Sequence, residues 1–425
     1  MDIPLNLAAG SRQREFLDYL NSALRARLTT SSGSAGRALD GTFFSKVSGP
    51  FPMDQGHVNL TWTIVKETNG TITRLSVEAT DPTLPAISWQ TAAHEFATSV
   101  LAATLAEKRH RFFRRSQFFY IGPQLDGEYW LPGYRFAPAF AEDPEPFLMN
   151  AERVVSIDQD VHAIDDMHAF VLAEESSRRH AAHLSLLLDV GMYRQEQAMR
   201  WVLPATNDLP ATESVRCHLA FHHPGTALSE MPEKGKVCGL GSYKGSLASR
   251  YRVAGGLQSL PKEARRILRG IDQADALVAD AFDRGARLYQ VGSVCGRLFP
   301  SVGLAYRVAA VEAISVSDPT CNSFSEFMRR HVTSRSDIDG LLSYLYGQVR
   351  SAHFHGGKFP MGEFARGQYF DLLMDMDSVE RDSIHRDCYE LTREAIVNWM
   401  QSMVPADDIH PAVNARAPND AIRSA

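Results

Sequence analysis

Residues 346–357 read Tyr-Gly-Gln-Val-Arg-Ser-Ala-His-Phe-His-Gly-Gly and carry the most definite chemical information in the chain. Within them, Arg350 lies five positions before His355, and two glycines end the run. An arginine is a permanent cation that holds phosphate through fixed N–H donors, whereas a histidine exchanges protons near neutral pH. The pair is therefore a candidate for phosphodiester chemistry.

The spacing of this pair raises a geometric question. Five positions separate Arg350 from His355 by roughly 140° around an ideal α-helix, so the two side chains do not share a face. Either the helix unwinds at Gly356 and Gly357, or the two groups meet across a bundle or a dimer interface. A simpler interpretation also fits, because an arginine and a histidine near a helix C-terminus interact favourably with its dipole.

The segment lies in a region that is almost wholly helical. After Ser259, apolar residues recur at helical spacing, and Pro261 suits a first helical position. The predicted helices cover Asp272–Leu298, Ser301–Val316, Ser323–Val332, Asp337–His355 and, as one long or two broken helices, Arg366–Met403. We therefore expect an all-α bundle over residues 259–403.

Several elements of this region, taken in order, match a known domain. They are the long helix Asp272–Leu298, the apolar segment Ala309–Ile314 with its central Glu312, Phe324–Val332, Leu345-Tyr346, Arg350-Ser351, His355-Gly356-Gly357 and Arg393–Trp399. In this order the region resembles the HEPN domain, and in particular the Apea-like HEPN group. The resemblance covers roughly a third of the chain.

The resemblance implies a helical bundle that dimerises and, in many members, a ribonuclease that needs no metal ion. By position, Arg350 would bind the scissile phosphate. His355 would be the general acid or base that promotes attack by the RNA 2′-hydroxyl and leaves a 2′,3′-cyclic phosphate. Ser351 would assist by hydrogen bonding, and Glu312 would orient Arg350 or His355. His353 is a second imidazole that competes for the proton-transfer role.

The same resemblance leaves alternatives open. Some HEPN proteins bind nucleotides or proteins as dimerisation modules without cutting RNA, and Glu312 fits a structural salt bridge as well as a catalytic contact. The implied partners are RNA and further copies of the chain, in a homodimer or higher homo-oligomer through the C-terminal bundle. The implied setting is antiviral defence or growth arrest, with a protein or phage trigger acting through the N-terminal part.

The N-terminal part mixes helical and strand patterns, which predicts an α+β fold. Asn69-Gly70 separates two alternating segments and is the strongest hairpin signal in the chain. The predicted helices are Arg12–Leu28, Ser88–Arg115, Ile164–Leu188 and Arg194–Val202, and the predicted strands are Val58–Val65, Thr71–Val77, Phe118–Ile121 and Tyr129–Phe136. The Ser- and Gly-rich segment Thr29–Gly36 is predicted to be a loop.

A change in composition places the domain boundaries. Residues 206–258 are rich in Gly, Pro and Ser and carry few periodic apolar residues, which is typical of a connector. We therefore predict a recognition or sensor domain over residues 1–205, a connector over 206–258, the helical bundle over 259–403 and a disordered tail over 404–425.

A basic and aromatic cluster follows the predicted helix that begins at Ser88. Cationic side chains track phosphates and aromatic faces stack on bases, so the cluster is a secondary candidate for RNA binding. Its cations are Lys108, Arg109, Arg111, Arg114 and Arg115. The alternative is a helix end whose aromatic rings enter the core and whose charges are solvated.

Net charge, cysteine content and hydropathy limit the classes of protein to which the chain can belong. The chain has 425 residues, a net charge of −6 and a pI near 6.2, so any bound nucleic acid is held by a local patch and not by overall charge. The five cysteines are scattered and include no C-x-x-C pair, which argues against a disulfide framework or a zinc ribbon. With no apolar run of membrane-spanning length and no secretory signal, we expect a cytoplasmic protein without membrane contact.

Two further groups of cysteine and histidine residues are candidates for metal binding by residue type. Cys217, His218, His222, His223 and Cys238 include zinc-binding residue types, but their spacing matches no standard site. His180 and His183 share a helix face with no carboxylate three or four residues away, so we expect them at the surface. The sequence therefore predicts neither a metal nor a cofactor.

Overall fold

The computed structural model describes most of the chain and divides it into two compact units. The described residues are 1–7, 10–38, 40–54, 56–80, 86–106, 109–138, 152–194, 199–202, 215–218, 230–231, 233–234, 241–244, 257–321, 323–364 and 376–405. Unit 1 comprises Met1–Arg115, Gln159–Ser176 and Ala227–Met231, and unit 2 comprises Ser116–Asp158, Ser177–Thr226 and Pro232–Ala425.

The predicted domain boundaries at residues 205 and 258 stay a prediction. Residues 116–158 and 177–205 belong to the same compact unit as the C-terminal helices. Most of the predicted connector and nearly all of the predicted tail lie outside the described residues, as does Lys108.

Unit 1 is built on a five-stranded antiparallel sheet in the order β1-β5-β4-β3-β2. Its strands are β1 (Asp2–Leu7), β2 (Ser32–Arg37), β3 (Phe43–Met53), β4 (Gly56–Lys66) and β5 (Ile72–Ala79). The hairpin predicted at Asn69-Gly70 is confirmed, and Gly70 takes a positive φ of 88°, which the turn requires. The loop predicted over Thr29–Gly36 is wrong, because its second half pairs with β3 as an exposed edge strand.

Two helices cover one face of this sheet. They are α1 (Ser11–Arg27) and α2 (Ala86–Leu105). The periodic apolar residues of α1, including Phe16 and Leu20, are fully buried. At the centre of the same core, the Trp62 ring lies 5.7 Å from Phe51 and 5.3 Å from Phe96. Such aromatic pairs stabilise the core beyond the area that they bury.

The predicted helix Ser88–Arg115 is wrong in its last third. After α2 ends at Leu105, the chain forms a long strand, β6 (His110–Ile121). Aromatic residues in this segment favour an extended backbone, and Arg111 donates to Asp160 on the neighbouring strand at 2.7 Å. That neighbouring strand, β10 (Glu152–Ala163), was not predicted.

Between β6 and the C-terminal helices the chain is a mixture of strands and one long helix. The strands are β7 (Gln124–Leu125), β8 (Tyr129–Leu131), β9 (Tyr134–Pro138), β10 (Glu152–Ala163), β11 (Met199–Val202), β12 (Val215–His218) and β13 (Leu257–Gln258). One four-stranded sheet has the order β6-β10-β9-β8. The predicted strand Tyr129–Phe136 is a hairpin, because Gly133 turns the chain with a φ of 80°. The predicted helix Ile164–Leu188 is confirmed as α3 (Asp166–Leu188).

The C-terminal part of unit 2 is helical, as predicted. Its α-helices are α4 (Lys262–Gly270), α5 (Ala276–Cys295), α6 (Pro300–Ser315), α7 (Phe324–His331), α8 (Asp339–Ser343), α9 (Ala352–Gly356) and α10 (Met376–Met403). Helices α5 and α6 pack closely because Gly285 faces Ile314, where a Cβ would lie 2.3 Å from the Ile314 side chain. Among the described residues, no helix is both long and apolar enough to cross a bilayer.

The helix predicted over Asp337–His355 is interrupted. A π-helix, Tyr344–Ser351, separates α8 from α9. Its buried residues Leu345 and Val349 enter the core of unit 2. Short π-helical segments occur frequently at functional sites, and this one contains Arg350. The helix end predicted at the glycines is confirmed, since Gly357 has left-handed dihedrals (φ 60°, ψ 24°).

Candidate functional site

Arg350 and Glu312 form the central contact of the candidate site. Arg350 lies in the last turn of the π-helix, and Glu312 lies near the end of α6. The Arg350 Nε donates to the Glu312 carboxylate at 3.2 Å. This contact fits both an orienting role for Glu312 and a structural salt bridge.

The guanidinium of Arg350 is held from one side. The Tyr346 ring lies one turn earlier, with its centroid 5.4 Å from the Arg350 Cζ. Within the described residues, only Nε donates a hydrogen bond, so the Nη1 and Nη2 donors have no protein acceptor. The Arg350 side chain is 32% exposed and the Glu312 side chain 26%. An anion approaching from solvent can therefore reach two N–H donors whose plane is already oriented.

His355 occupies the exposed end of α9. It directly precedes Gly356, and its ring makes no hydrogen bond to any described residue. No hydrogen bond or ion pair joins it to Arg350 within the described part of the chain. Ser351, the last residue of the π-helix, is half-buried. The structure therefore joins Arg350 to Glu312, and among the described residues neither His355 nor Ser351 hydrogen-bonds to either of them.

His353 has a structural contact that His355 lacks. Its Nδ1 lies 3.1 Å from the Lys358 carbonyl oxygen. A carbonyl only accepts, so Nδ1 carries the proton and the other ring nitrogen, Nε2, is an acceptor when the ring is neutral. The ring also packs against Phe359, with centroids 5.1 Å apart. These contacts fix His353 at the helix end, which makes it less free than His355 to follow a substrate.

Of the basic cluster proposed for RNA binding, Arg111, Arg114 and Arg115 lie on strand β6, Arg109 lies just before that strand, and Lys108 is outside the described residues. Three of its cations pair with carboxylates: Arg109 with Glu15, Arg111 with Asp160, and Arg114 with Asp166. The aromatic neighbours Phe112 and Phe113 stack on these guanidinium groups. The described cations of this segment therefore serve local pairing, and their role in RNA binding stays a prediction.

A buried histidine network went undetected in the sequence. His180 and His183 were expected at the surface, but both are buried, at 5% and 1% exposure. The His183 Nε2 lies 2.7 Å from the Asp283 carboxylate, which also accepts from Arg179 at 2.8 Å. Burial lowers the pKa of His183, although the bond to Asp283 opposes that shift. The prediction failed because Asp283 lies on α5, 100 residues further along the chain.

A second buried network surrounds Arg307 on α6. Its Cζ lies 4.2 Å from the Tyr289 ring centroid and 3.4 Å from that of Tyr389. The guanidinium also donates to Asp189 at 3.2 Å. The ring of His385 lies 4.3 Å from Tyr389, and burial, together with the charge of Arg307, lowers the His385 pKa to about 4. This network holds α5, α6 and α10 together.

No protein-family model, no curated protein and no solved structure matches the chain.

Proposed function

We propose that the C-terminal helical region is a HEPN-type domain that cleaves RNA without a metal ion. The observation that carries the proposal is the arrangement of Arg350, whose Nε is fixed by Glu312 while its two Nη atoms have no acceptor among the described residues. His355 supplies an exposed imidazole at the end of the same helical segment. The order of the C-terminal helices and the Arg-Ser and His-Gly-Gly run support the same assignment.

In the proposed reaction, Arg350 holds the scissile phosphate through its Nη donors. The RNA 2′-hydroxyl loses its proton to an imidazole and attacks the phosphorus, and the bond from phosphorus to the 5′-oxygen breaks as that oxygen gains a proton. The products are a 2′,3′-cyclic phosphate and a 5′-hydroxyl. Positive charge on Arg350 stabilises the phosphorane-like transition state, in which negative charge grows on the equatorial oxygens.

A second copy of the chain has a defined place in this proposal. Within the described part of one chain, no hydrogen bond or ion pair joins Arg350 to His355, whereas proton transfer and phosphate binding must act on the same phosphodiester. A homodimer that apposes two such helix ends would place His355 of one protomer near Arg350 of the other. The N-terminal part would then control or recruit the dimer in response to a trigger.

The direct test is incubation of the purified chain with total RNA in buffer containing EDTA, with brief exposure to the chelator. We expect cleavage that leaves 2′,3′-cyclic phosphate ends, and loss of it in Arg350→Ala and His355→Ala. Matched controls are Arg284→Ala, which removes an exposed arginine of α5, and His94→Ala, which removes an exposed histidine of α2. Cleavage that survives both site substitutions would contradict the assignment.

The second candidate function is a HEPN module that binds nucleotides or protein without cutting. The Arg350–Glu312 ion pair is the observation that favours it, because a carboxylate that neutralises the arginine is also what a structural role requires. Fluorescence anisotropy with labelled single-stranded RNA separates the two. The binding module is favoured over the nuclease if RNA binding depends on Arg350 and the RNA stays intact throughout. The RNA should stay intact both with the purified protein without a trigger and with protein isolated from cells.

A further inference from the structure

A group of potential metal ligands lies outside the Arg350 site. Asp318 and Cys321 lie in the loop between α6 and α7, and His331 is the last residue of α7. One donor atom from each of the three residues lies within 4.8 Å of the other two. The residues are separated by two and nine intervening positions, a spacing that matches no common zinc motif, so the sequence did not reveal the group.

The distances fit tetrahedral coordination. Zn²⁺ bonds of about 2.0 Å to oxygen and nitrogen and about 2.3 Å to sulfur, set at tetrahedral angles, place oxygen and nitrogen about 3.3 Å apart and oxygen and sulfur about 3.5 Å apart. In the structure, Asp318 Oδ2 lies 3.0 Å from His331 Nε2 and 3.5 Å from Cys321 Sγ. These two distances lie within about 0.3 Å of the tetrahedral values, and the donor atoms of Cys321 and His331 lie within 4.8 Å of each other.

The surrounding residues hold the donors in this orientation. Asp318 Oδ1 accepts from the Thr320 N–H at 2.8 Å and from the Thr320 hydroxyl at 2.6 Å, which turns Oδ2 toward the other two donors. The His331 ring packs on Phe327, with centroids 4.6 Å apart. A metal-binding carboxylate is commonly fixed in this way by hydrogen bonds to its second oxygen.

The group is also shielded from solvent. Asp318, Cys321 and His331 are 3%, 7% and 9% exposed. A buried carboxylate needs a compensating positive charge, which a divalent ion supplies. The competing explanation is a purely hydrogen-bonded Asp–His pair beside a thiol. Sulfur and imidazole donors together select Zn²⁺ and disfavour Mg²⁺ or Ca²⁺, which prefer oxygen.

We propose that Asp318, Cys321 and His331 bind one Zn²⁺ per chain. Within the part of the chain that the structure describes, no fourth histidine, cysteine or carboxylate joins the group, so water completes the tetrahedron. The ion links the loop after α6 to the end of α7. The proposal is independent of RNA cleavage, because none of its ligands belongs to the Arg350 site.

The test uses the full-length chain, freed of metal by dialysis and titrated with Co²⁺, which gives a thiolate charge-transfer band when a cysteine binds it. We expect one Co²⁺ per chain, displaced by one Zn²⁺, and loss of the band in Cys321→Ser and His331→Asn. Cys295→Ser removes a more accessible thiol and is the matched control, which should retain the band. Thr320→Val should weaken binding by about tenfold or more, as loss of a supporting hydrogen bond typically does.

A second measurement on the unmodified protein covers the case in which a variant fails to fold. Cysteine alkylation followed by mass spectrometry should show that Zn²⁺ slows modification of Cys321 but not of Cys295. Absence of a thiolate band in the unmodified chain would overturn the proposal. So would a band that persists in folded Cys321→Ser protein, or equal alkylation of Cys321 with and without Zn²⁺.

Discussion

Replacement of Glu312 by glutamine separates a positioning role from a structural one. Glutamine keeps the size of the side chain and an acceptor oxygen near the Arg350 Nε, but it removes the negative charge that holds the guanidinium. If Glu312 orients Arg350 for phosphate, RNA cleavage should fall while the fold stays intact. If the ion pair is only structural, stability should change and cleavage by the folded protein should not.

The magnitude follows from the contact distance. Two unit charges 3.2 Å apart interact by about 1.3 kcal/mol in water and about 5 kcal/mol at an effective dielectric constant near 20. The pair is partly exposed, and ordering two long side chains opposes the attraction, so we expect a net loss of about 1 kcal/mol in unfolding free energy. A loss of about 1 kcal/mol in transition-state binding lowers kcat/KM about fivefold, and misplacement of Arg350 extends the loss toward a hundredfold.

The assay is single-turnover cleavage of a labelled RNA, with urea unfolding measured on the same preparations. Because Glu312 acts through Arg350, the double variant Glu312→Gln/Arg350→Ala should cleave no more slowly than Arg350→Ala alone. Asp280→Asn, which breaks the exposed pair with Arg284 on α5, is the control and should leave cleavage unchanged. Equal, additive losses from Glu312→Gln with and without Arg350 would refute the positioning role.

Three further predictions concern buried charged groups and a helix end. Arg135→Met should lower the unfolding free energy measured in urea by about 3–5 kcal/mol, because it removes the buried guanidinium that pairs with the buried carboxylates of Glu128 and Asp158. The unfolding free energy should fall by at most about 3 kcal/mol as pH drops from 6.5 toward 4. The reason is that, as the pH falls, His385 becomes protonated in the unfolded chain before it does in the folded chain. His385→Phe should flatten that part of the pH profile. Gly357→Ala should cost about 1 kcal/mol, because alanine disfavours the left-handed backbone at this position.

Each of these three predictions is checked by a specific outcome or comparison. A change below about 1 kcal/mol in Arg135→Met would show that the buried ion pairs do not stabilise the fold, since even exposed pairs reach that value. An unaltered pH profile in folded His385→Phe would assign the acid sensitivity to other groups, with buried His183 the next to test. Thermal unfolding of Gly357→Ala should be compared with Gly340→Ala, a glycine with open space around it and no positive φ.

Elements with strong local signals were predictable, and those that depend on distant partners were not. The helix at Ser11–Arg27 and the hairpin at Asn69-Gly70 follow from apolar spacing and turn chemistry within a few residues. Strand β6 was partly predicted as helix, because its aromatic and basic residues carry no clear period of two. Its extended form depends on pairing with β10, more than 30 residues further along the chain.

In the candidate site, too, local features were predictable from the sequence and contacts between distant residues were not. Arg350 and His355 were identifiable from their chemistry and their neighbours in the chain. The pairing of Arg350 with Glu312 joins residues 38 positions apart, and it entered the sequence analysis only through the family resemblance. The Asp318–Cys321–His331 group was missed, since its spacing is irregular and its donors converge only when α7 folds back against the loop.

The sequence by itself determined the helical character of the C-terminal part, the hairpin of the N-terminal sheet and the chemical identity of the run at residues 346–357. These properties rest on backbone preferences and on which side chains repel water, and both act within a few turns of chain. Only the tertiary structure decided that the run contains a π-helix, that Glu312 accepts a hydrogen bond from Arg350, and that His183 is buried against Asp283. Such pairings depend on how helices pack, because packing alone brings together side chains that are far apart in sequence.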